Sequence, residues 1–177
     1  MAKHVSTKQL DLIVAVDKNN GIGRDGVIPW KCKDDLLRFK RKTVLTSNPE
    51  NVNAVVYGRR TYESLKGRCL LNRLNVVISC TKQEGDVLTF PSLNEAVEAL
   101  DTMTHVEKVF ICGGVHIYRE ALEKMNVTRV HLTRIRKDYK CDRFVDFLPE
   151  YLRFYNMTIV RETTDFGFYI YVPKRVI

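Results

Sequence analysis

Short runs rich in β-branched and aromatic residues recur along the chain at 11–16, 52–57, 75–79, 109–112, 129–135, 157–162 and 168–172. Their length and composition suit strands. Between the earlier runs the apolar spacing lengthens to a helical period, at 34–45, 61–66, 93–100 and 115–124. Ser92 followed three residues later by Glu95 predicts a capping box for the third helix. The first helix reads through Leu36, Leu37, Phe39 and Val44 and stops at the Ser47-Asn48-Pro49 breaker. Alternating strands and helices require parallel strands joined by crossovers. The last strands lack intervening helices, which predicts an antiparallel edge. The expectation is a single α/β domain over 1–177, with 1–9 as an N-terminal extension, a mostly parallel central sheet and about four flanking helices. No repeat, low-complexity tract or linker interrupts it.

Composition agrees with this reading. A chain of 177 residues with 45% hydrophobic content and nine glycines suits one folded core. No apolar run approaches the ~20 residues of a membrane span, and Met1-Ala2-Lys3-His4 lacks the order of a secretory signal. Five cysteines, at 32, 69, 80, 112 and 141, form no Cys-x-x-Cys pair, so neither a disulfide framework nor a metal site is predicted. The expected home is the cytoplasm.

The formal charge of +8 raises nucleic acid as a partner. Yet the cations are scattered, the densest run being Arg38-Phe39-Lys40-Arg41-Lys42, and no helix-turn-helix, zinc-finger or RNP pattern is present. A positive field equally suits an enzyme with polyanionic reactants. Nucleic acid is therefore not expected as the principal partner.

Candidate chemistry concentrates at Ile28-Pro29-Trp30-Lys31-Cys32-Lys33-Asp34-Asp35-Leu36-Leu37-Arg38-Phe39, just after the glycine turn Asn20-Gly21-Ile22-Gly23. Both acids suit a helix N-terminus. Asp34 reaches Arg38 at i+4, which predicts a solvated ion pair. Asp35 shares a face with Phe39 and Thr43 and should look inward, where a carboxylate is costly without a partner or a task.

These residues resemble the dihydrofolate reductase family, from Leu10 to about Val172. The signature is Gly21-Ile22-Gly23, then Ile28-Pro29-Trp30, then Asp35 five residues after the tryptophan. Gly58-Arg59-Arg60-Thr61-Tyr62-Glu63-Ser64, Gly113-Gly114 with Ile117-Tyr118, and Leu132-Thr133 resemble further family motifs, in the right order and spacing. The resemblance implies an eight-stranded sheet, NADPH as cofactor, dihydrofolate as substrate, antifolate inhibitors as ligands and a monomer. Some members are fused to thymidylate synthase; no such second domain is expected in 177 residues.

By the same resemblance Asp35 orients the pterin and assists protonation, with solvent or a bridging water as the final donor. Burial should raise its pKa. Thr133 is the hydroxyl expected on that carboxylate, and Ile22 and Trp30 complete the implied catalytic set. Val14, Ala15, Leu36, Phe39, Leu65, Leu70, Cys112 and Tyr118 are the implied pocket, although Val14, Ala15, Leu36, Phe39 and Cys112 are equally plausible as plain core. Arg73 matches the family's clamp for the glutamate tail, since a guanidinium grips a carboxylate with two bonds and an ammonium does not.

Two halves are implied for the cofactor. Gly113-Gly114 precedes Val115, His116, Ile117 and Tyr118 at a helix start, where backbone N–H groups can face a pyrophosphate; the family holds this glycine pair as a cis peptide. Gly58, Arg59, Arg60 and Thr61 face Ser79, Cys80, Thr81 and Lys82, a set suited to a 2′-phosphate. There is no Gly-x-Gly-x-x-Gly fingerprint. The loop 18–27 is expected to close over the nicotinamide near Ala15, Ile22 and Gly23, its glycines permitting movement.

The sequence departs from the family at Tyr62, Cys112 and Val115, and Cys141-Asp142-Arg143-Phe144 lacks a usual proline. A reductase of the same fold acting on another pyrimidine-like substrate, as in riboflavin synthesis, is the alternative; Asp35 and Arg73 count against it.

Overall fold

The two rhythms resolve into one sheet covered on both faces. The computed structural model describes residues 2–175; the first and the last two positions of the expected domain lie outside the described residues. In chain order these form β1 (Gln9–Val16), β2 (Gly21–Gly23), α1 (Lys33–Val44), β3 (Val52–Gly58), α2 (Arg59–Ser64), β4 (Leu74–Ile78) and β5 (Leu88–Phe90). There follow α3 (Leu93–Asp101), β6 (Val106–Ile111), α4 (Val115–Lys124), β7 (Arg129–Ile135), β8 (Arg143–Phe144), α5 (Leu148–Leu152), β9 (Tyr155–Glu162) and β10 (Phe166–Pro173).

Eight strands make the main sheet in the order β5-β4-β3-β6-β1-β7-β10-β9, while β2 and β8 pair apart. The six strands from β5 to β7 are parallel to their neighbours. β10 runs antiparallel to both β7 and β9. This is the mostly parallel sheet with an antiparallel C-terminal edge that the alternation predicts. Four elements escaped the pattern. β2, β5 and β8 have three residues or fewer, and α5 has five with Pro149 in its first turn, too few to show a period.

Strand alternation sorts the core into layers. Leu10, Leu12, Val14 and Val16 of β1 join Leu93, Val97 and Leu100 of α3 and Ile117, Ala121 and Leu122 of α4. Ile13 faces the other way, into a cluster with Val55, Tyr57, Val77 and Phe110 that receives Phe39 from α1. Each fully buried aliphatic chain contributes about 1.5–3 kcal/mol. Ser92 caps α3 by accepting the Glu95 N–H at 3.2 Å, while its hydroxyl donates to the Glu95 carboxylate at 3.1 Å. Asn53, buried in β3, closes the other end of α1 by donating to the carbonyls of Thr43 and Leu45 at 3.1 and 2.9 Å. Among the described residues no helix is long and apolar enough to cross a membrane.

Candidate active site

In a parallel α/β sheet the crevice for ligands lies outside the carboxyl ends of the strands. α1 starts at that edge, and its dipole favours Asp34 and Asp35 in the first turn. Asp35, partly buried, accepts a hydrogen bond from Thr133 Oγ1 at 2.6 Å. Thr133 stands opposite Ala15 in the β1–β7 register, so one rung of the sheet fixes the carboxylate's partner. Burial pushes the Asp35 pKa up, and the Thr133 bond and the Arg38 cation draw it partly back.

The expected Asp34–Arg38 pair does not form. Asp34 pairs with Arg161 of β9 at 3.5 Å, and the Arg38 guanidinium lies 4.8 Å from the centroid of the Phe168 ring. Helix spacing offered Arg38 to Asp34, but an aromatic surface on β10 takes it instead.

The apolar face read along α1 also divides. Phe39 packs inward, whereas Leu36 and Leu37 are each 63% exposed and belong to the surface. Val14 needs a similar correction. Its side chain lies in the α3–α4 layer, so only its backbone is available on the Asp35 side. Ala15 and Cys32 pack against a third cluster of Trp30, Ile135, Phe166 and Phe168, and Trp30 meets Tyr139 edge-on at 5.7 Å. Tyr118 Oη donates to the Ile13 carbonyl at 2.8 Å, which ties α4 to β1 beside the carboxylate's rung.

Arg73 enters β4 with its Nη1 on Thr43 Oγ1 and its Nε on the Leu71 carbonyl, both at 2.9 Å, and its guanidinium 6.0 Å from the Phe39 ring. Asn75 shapes the loop before it. Its Nδ2 donates to the carbonyls of Leu70 and Arg73, each at 2.9 Å, and its Oδ1 accepts from Leu70 N–H at 2.8 Å and Tyr57 Oη at 2.7 Å. Sequence reasoning missed Asn75, Tyr57 and the Thr43 hydroxyl; the available signal was an asparagine inside an otherwise apolar strand. Leu65, Leu70 and Cys112 pack against the Tyr57–Tyr62 cluster. Cys112 follows β6 instead of ending it, donates its N–H to the Val56 carbonyl at 2.8 Å, and has its thiol pushed up to about 12 by burial.

The glycine pair lies between β6 and α4, and the Gly113–Gly114 peptide is cis. A Cβ on Gly113 would meet the Tyr118 ring at 3.4 Å, and one on Gly114 would meet Thr61 Oγ1 at 3.5 Å. Gly58 N–H donates to the Gly113 carbonyl at 2.9 Å, so the ends of β3 and β6 are laced together. No side chain caps α4, which leaves the N–H groups near Val115, His116 and Ile117 facing outward from a helix start. α2 begins two residues earlier than the sequence pattern predicts and holds Arg59 and Arg60 in its first turn. Gly58 pairs with Ile78 in register, which sets Arg59, Arg60 and Thr61 beside Ser79, Cys80, Thr81 and Lys82. Arg59 is engaged by Glu63 at 2.9 Å. Ser79 Oγ accepts from Thr81 N–H at 3.1 Å and Gln83 Nε2 at 3.3 Å.

Ile22 and Gly23 lie in β2, which pairs with β8. At Gly21 there is in addition a packing requirement: a Cβ there would run into Cβ and Sγ of Cys141. Asp17 Oδ1 accepts from the N–H groups of Asn19 and Gly21 at 2.9 and 2.8 Å, and its Oδ2 from Tyr139 at 3.0 Å. Asp142 N–H donates to the Gly23 carbonyl at 2.9 Å, and Asp142 Oδ2 accepts from Asp25 N–H at 2.9 Å. The segment 141–145, given no role by its sequence, thus pins the loop.

A carboxylate, a glycine pair at a helix start and a cationic rim share one edge of the sheet, and comparison with known proteins identifies their class. The sequence model of the dihydrofolate reductase family matches residues 9–165. The dihydrofolate reductase of Drosophila melanogaster is 40% identical over 151 residues, covering 82% of this chain and 83% of that protein. That of Heliothis virescens is 37% identical over 149 residues, with 79% and 80% covered. The bifunctional dihydrofolate reductase-thymidylate synthase of Daucus carota is 39% identical over 150 residues, which covers 78% of this chain and 28% of that protein. Fold and matches together define an α/β oxidoreductase. The chain belongs to the dihydrofolate reductase family.

Proposed function

We propose that the protein reduces 7,8-dihydrofolate to 5,6,7,8-tetrahydrofolate with NADPH. The observation that carries this reading is Asp35, a partly buried carboxylate held at 2.6 Å by Thr133 beside the strand ends. An ionised carboxylate there accepts two hydrogen bonds from the amino and ring N–H groups of a pterin. It fixes the ring's orientation and raises the basicity of the nitrogen to be protonated, with a bridging water delivering the proton. Burial raises the Asp35 pKa above the ordinary carboxylate range, a direction that suits acid–base work. In this reading Trp30, Phe39 and Ala15, each part of an apolar cluster, contribute apolar surface to the pterin pocket.

In this reading the benzoyl part of the substrate would cover apolar surface that Leu36, 63% exposed, leaves open on α1. Arg73, already oriented by Thr43 and the Leu71 carbonyl, is the donor for the substrate's tail carboxylate.

The chain's residues fit a nicotinamide dinucleotide. The two glycines leave a cradle that a Cβ would narrow against Tyr118 and Thr61, and the uncapped start of α4 favours a pyrophosphate. Arg60, Thr61, Ser79 and Lys82 form a rim of cations and hydroxyls that favours a 2′-phosphate, hence NADPH over NADH. When bound, NADPH supplies the hydride. Ile22 and Gly23 form the wall expected over the nicotinamide. We infer a cytoplasmic monomer made of a single domain.

The test is NADPH absorbance with dihydrofolate in the wild type and Asp35→Asn. Turnover is expected to drop about 100- to 10,000-fold in the variant, while NADPH binding persists. A wild type that binds NADPH and leaves dihydrofolate unreduced would transfer the assignment to another substrate.

A further inference from the structure

Resting on the reading of Asp35 as the acid that faces the pterin, we propose that Arg38 is a positioning residue which sets the charge state of Asp35 through space and is itself held by the ring of Phe168. Four observations converge on this. Asp35 and Arg38 stand three residues apart on α1 and so share a face. Arg161 occupies Asp34 at 3.5 Å, which leaves Asp35 as the first-turn acid available to Arg38. The Arg38 guanidinium lies 4.8 Å from the Phe168 centroid, and Phe168 stands opposite Thr133 in the β10–β7 ladder. The ring that seats the cation and the hydroxyl that holds the carboxylate are therefore neighbours across one rung.

The fourth observation is an unpaired donor. Arg38 Nη2 is buried without a hydrogen-bond partner among the described residues. A buried cationic donor in that condition is costly unless a nearby anion offsets it, and Asp35 is the anion that acts on Arg38. No contact ion pair within 4 Å joins the two among the described residues, so the coupling is electrostatic at a distance. Near a protein surface such a coupling is several times stronger than in water.

The other groups that face Asp35 do not supply this charge. Cys32 at the helix start and Tyr118 on α4 are both pushed up and stay neutral, and Thr133 on β7 offers a hydroxyl. Arg38 alone among them is a cation. Burial drives Asp35 toward its protonated form, and Arg38 opposes burial without occupying the oxygens a pterin needs. A contact ion pair would fill one of those oxygens; a guanidinium parked on an aromatic ring does not.

The experiment is a carboxyl-carbon NMR titration of the ligand-free protein, with the Asp35 resonance assigned by its loss in Asp35→Asn. Wild type, Arg38→Met and Arg38→Lys are compared, alongside the pH profile of turnover. Arg38→Met preserves the packing on Phe168 and is expected to move the Asp35 midpoint to higher pH. Arg38→Lys is expected to restore most of it, and the break in the turnover profile to move in the same direction. An unchanged midpoint in Arg38→Met, or a lysine that restores nothing, would overturn the proposal. If Arg38→Met does not fold, Phe168→Leu decides: it frees the guanidinium without removing it, so a part-way rise supports the proposal and an unmoved midpoint overturns it. Absence of turnover in the wild type would refute the substrate, whereas the titration would still decide the role of Arg38.

Discussion

At Asp35 the demands of chemistry and of folding pull apart, because a carboxylate withdrawn from water binds its proton more tightly than in the unfolded chain. Its folded pKa lies above the unfolded value, so its contribution to stability is complete below about pH 3.9 and declines as pH rises through the folded pKa. Asp35→Asn is therefore expected to raise the thermal midpoint of the ligand-free protein at pH 7, with the gain vanishing below about pH 4. A variant less stable at pH 7 would mean that the lost charge–hydroxyl bond to Thr133 outweighs burial. The inward aim of Asp35 was legible from its helix register with Phe39 and Thr43. The rotation of Arg38 away from Asp34 was not, because Phe168 is 130 residues away in sequence and only β-pairing brings it near. The buried Asp11–His131 pair, 2.7 Å apart on neighbouring strands, was hidden for the same reason.

Among the elements, those with enough length to repeat a period were readable: the helices α1, α3 and α4 and the longer strands. The β2–β8 pair was not, since each strand has only two or three residues and their meeting is decided by Asp17, Gly21 and Cys141. Gly21→Ala tests this at the scale of the element. Its methyl group would collide with Cys141, and an overpacked site of this kind is expected to lose about 1–3 kcal/mol in urea denaturation. Adding Cys141→Gly should recover part of that loss by vacating the contested volume. A Gly21→Ala protein as stable as wild type would show instead that the segment yields easily.

For the whole molecule, the net charge is +8 and its cations are scattered along the sequence, and both proposed reactants are polyanions. Such a field steers encounter more than it stabilises the bound state. Raising ionic strength from about 0.01 to 0.15 M shortens the Debye length from about 30 to about 8 Å. kcat/KM for dihydrofolate is then expected to fall several-fold while kcat holds. A flat salt profile would remove steering from the account and leave the charge to solubility.

The sequence by itself determined what is local or periodic: the order of most strands and helices, their parallel arrangement, the helix-start position of Asp35 and the motif spacing that carries the family. These follow from backbone geometry and from which side of an element each residue must take. Tertiary structure alone decided pairings between distant segments. Arg38 on Phe168, Asn75 shaping the loop before Arg73 and Cys141 against Gly21 all depend on strand register and close packing, and no local pattern encodes the distance between two parts of the chain that meet only when it folds.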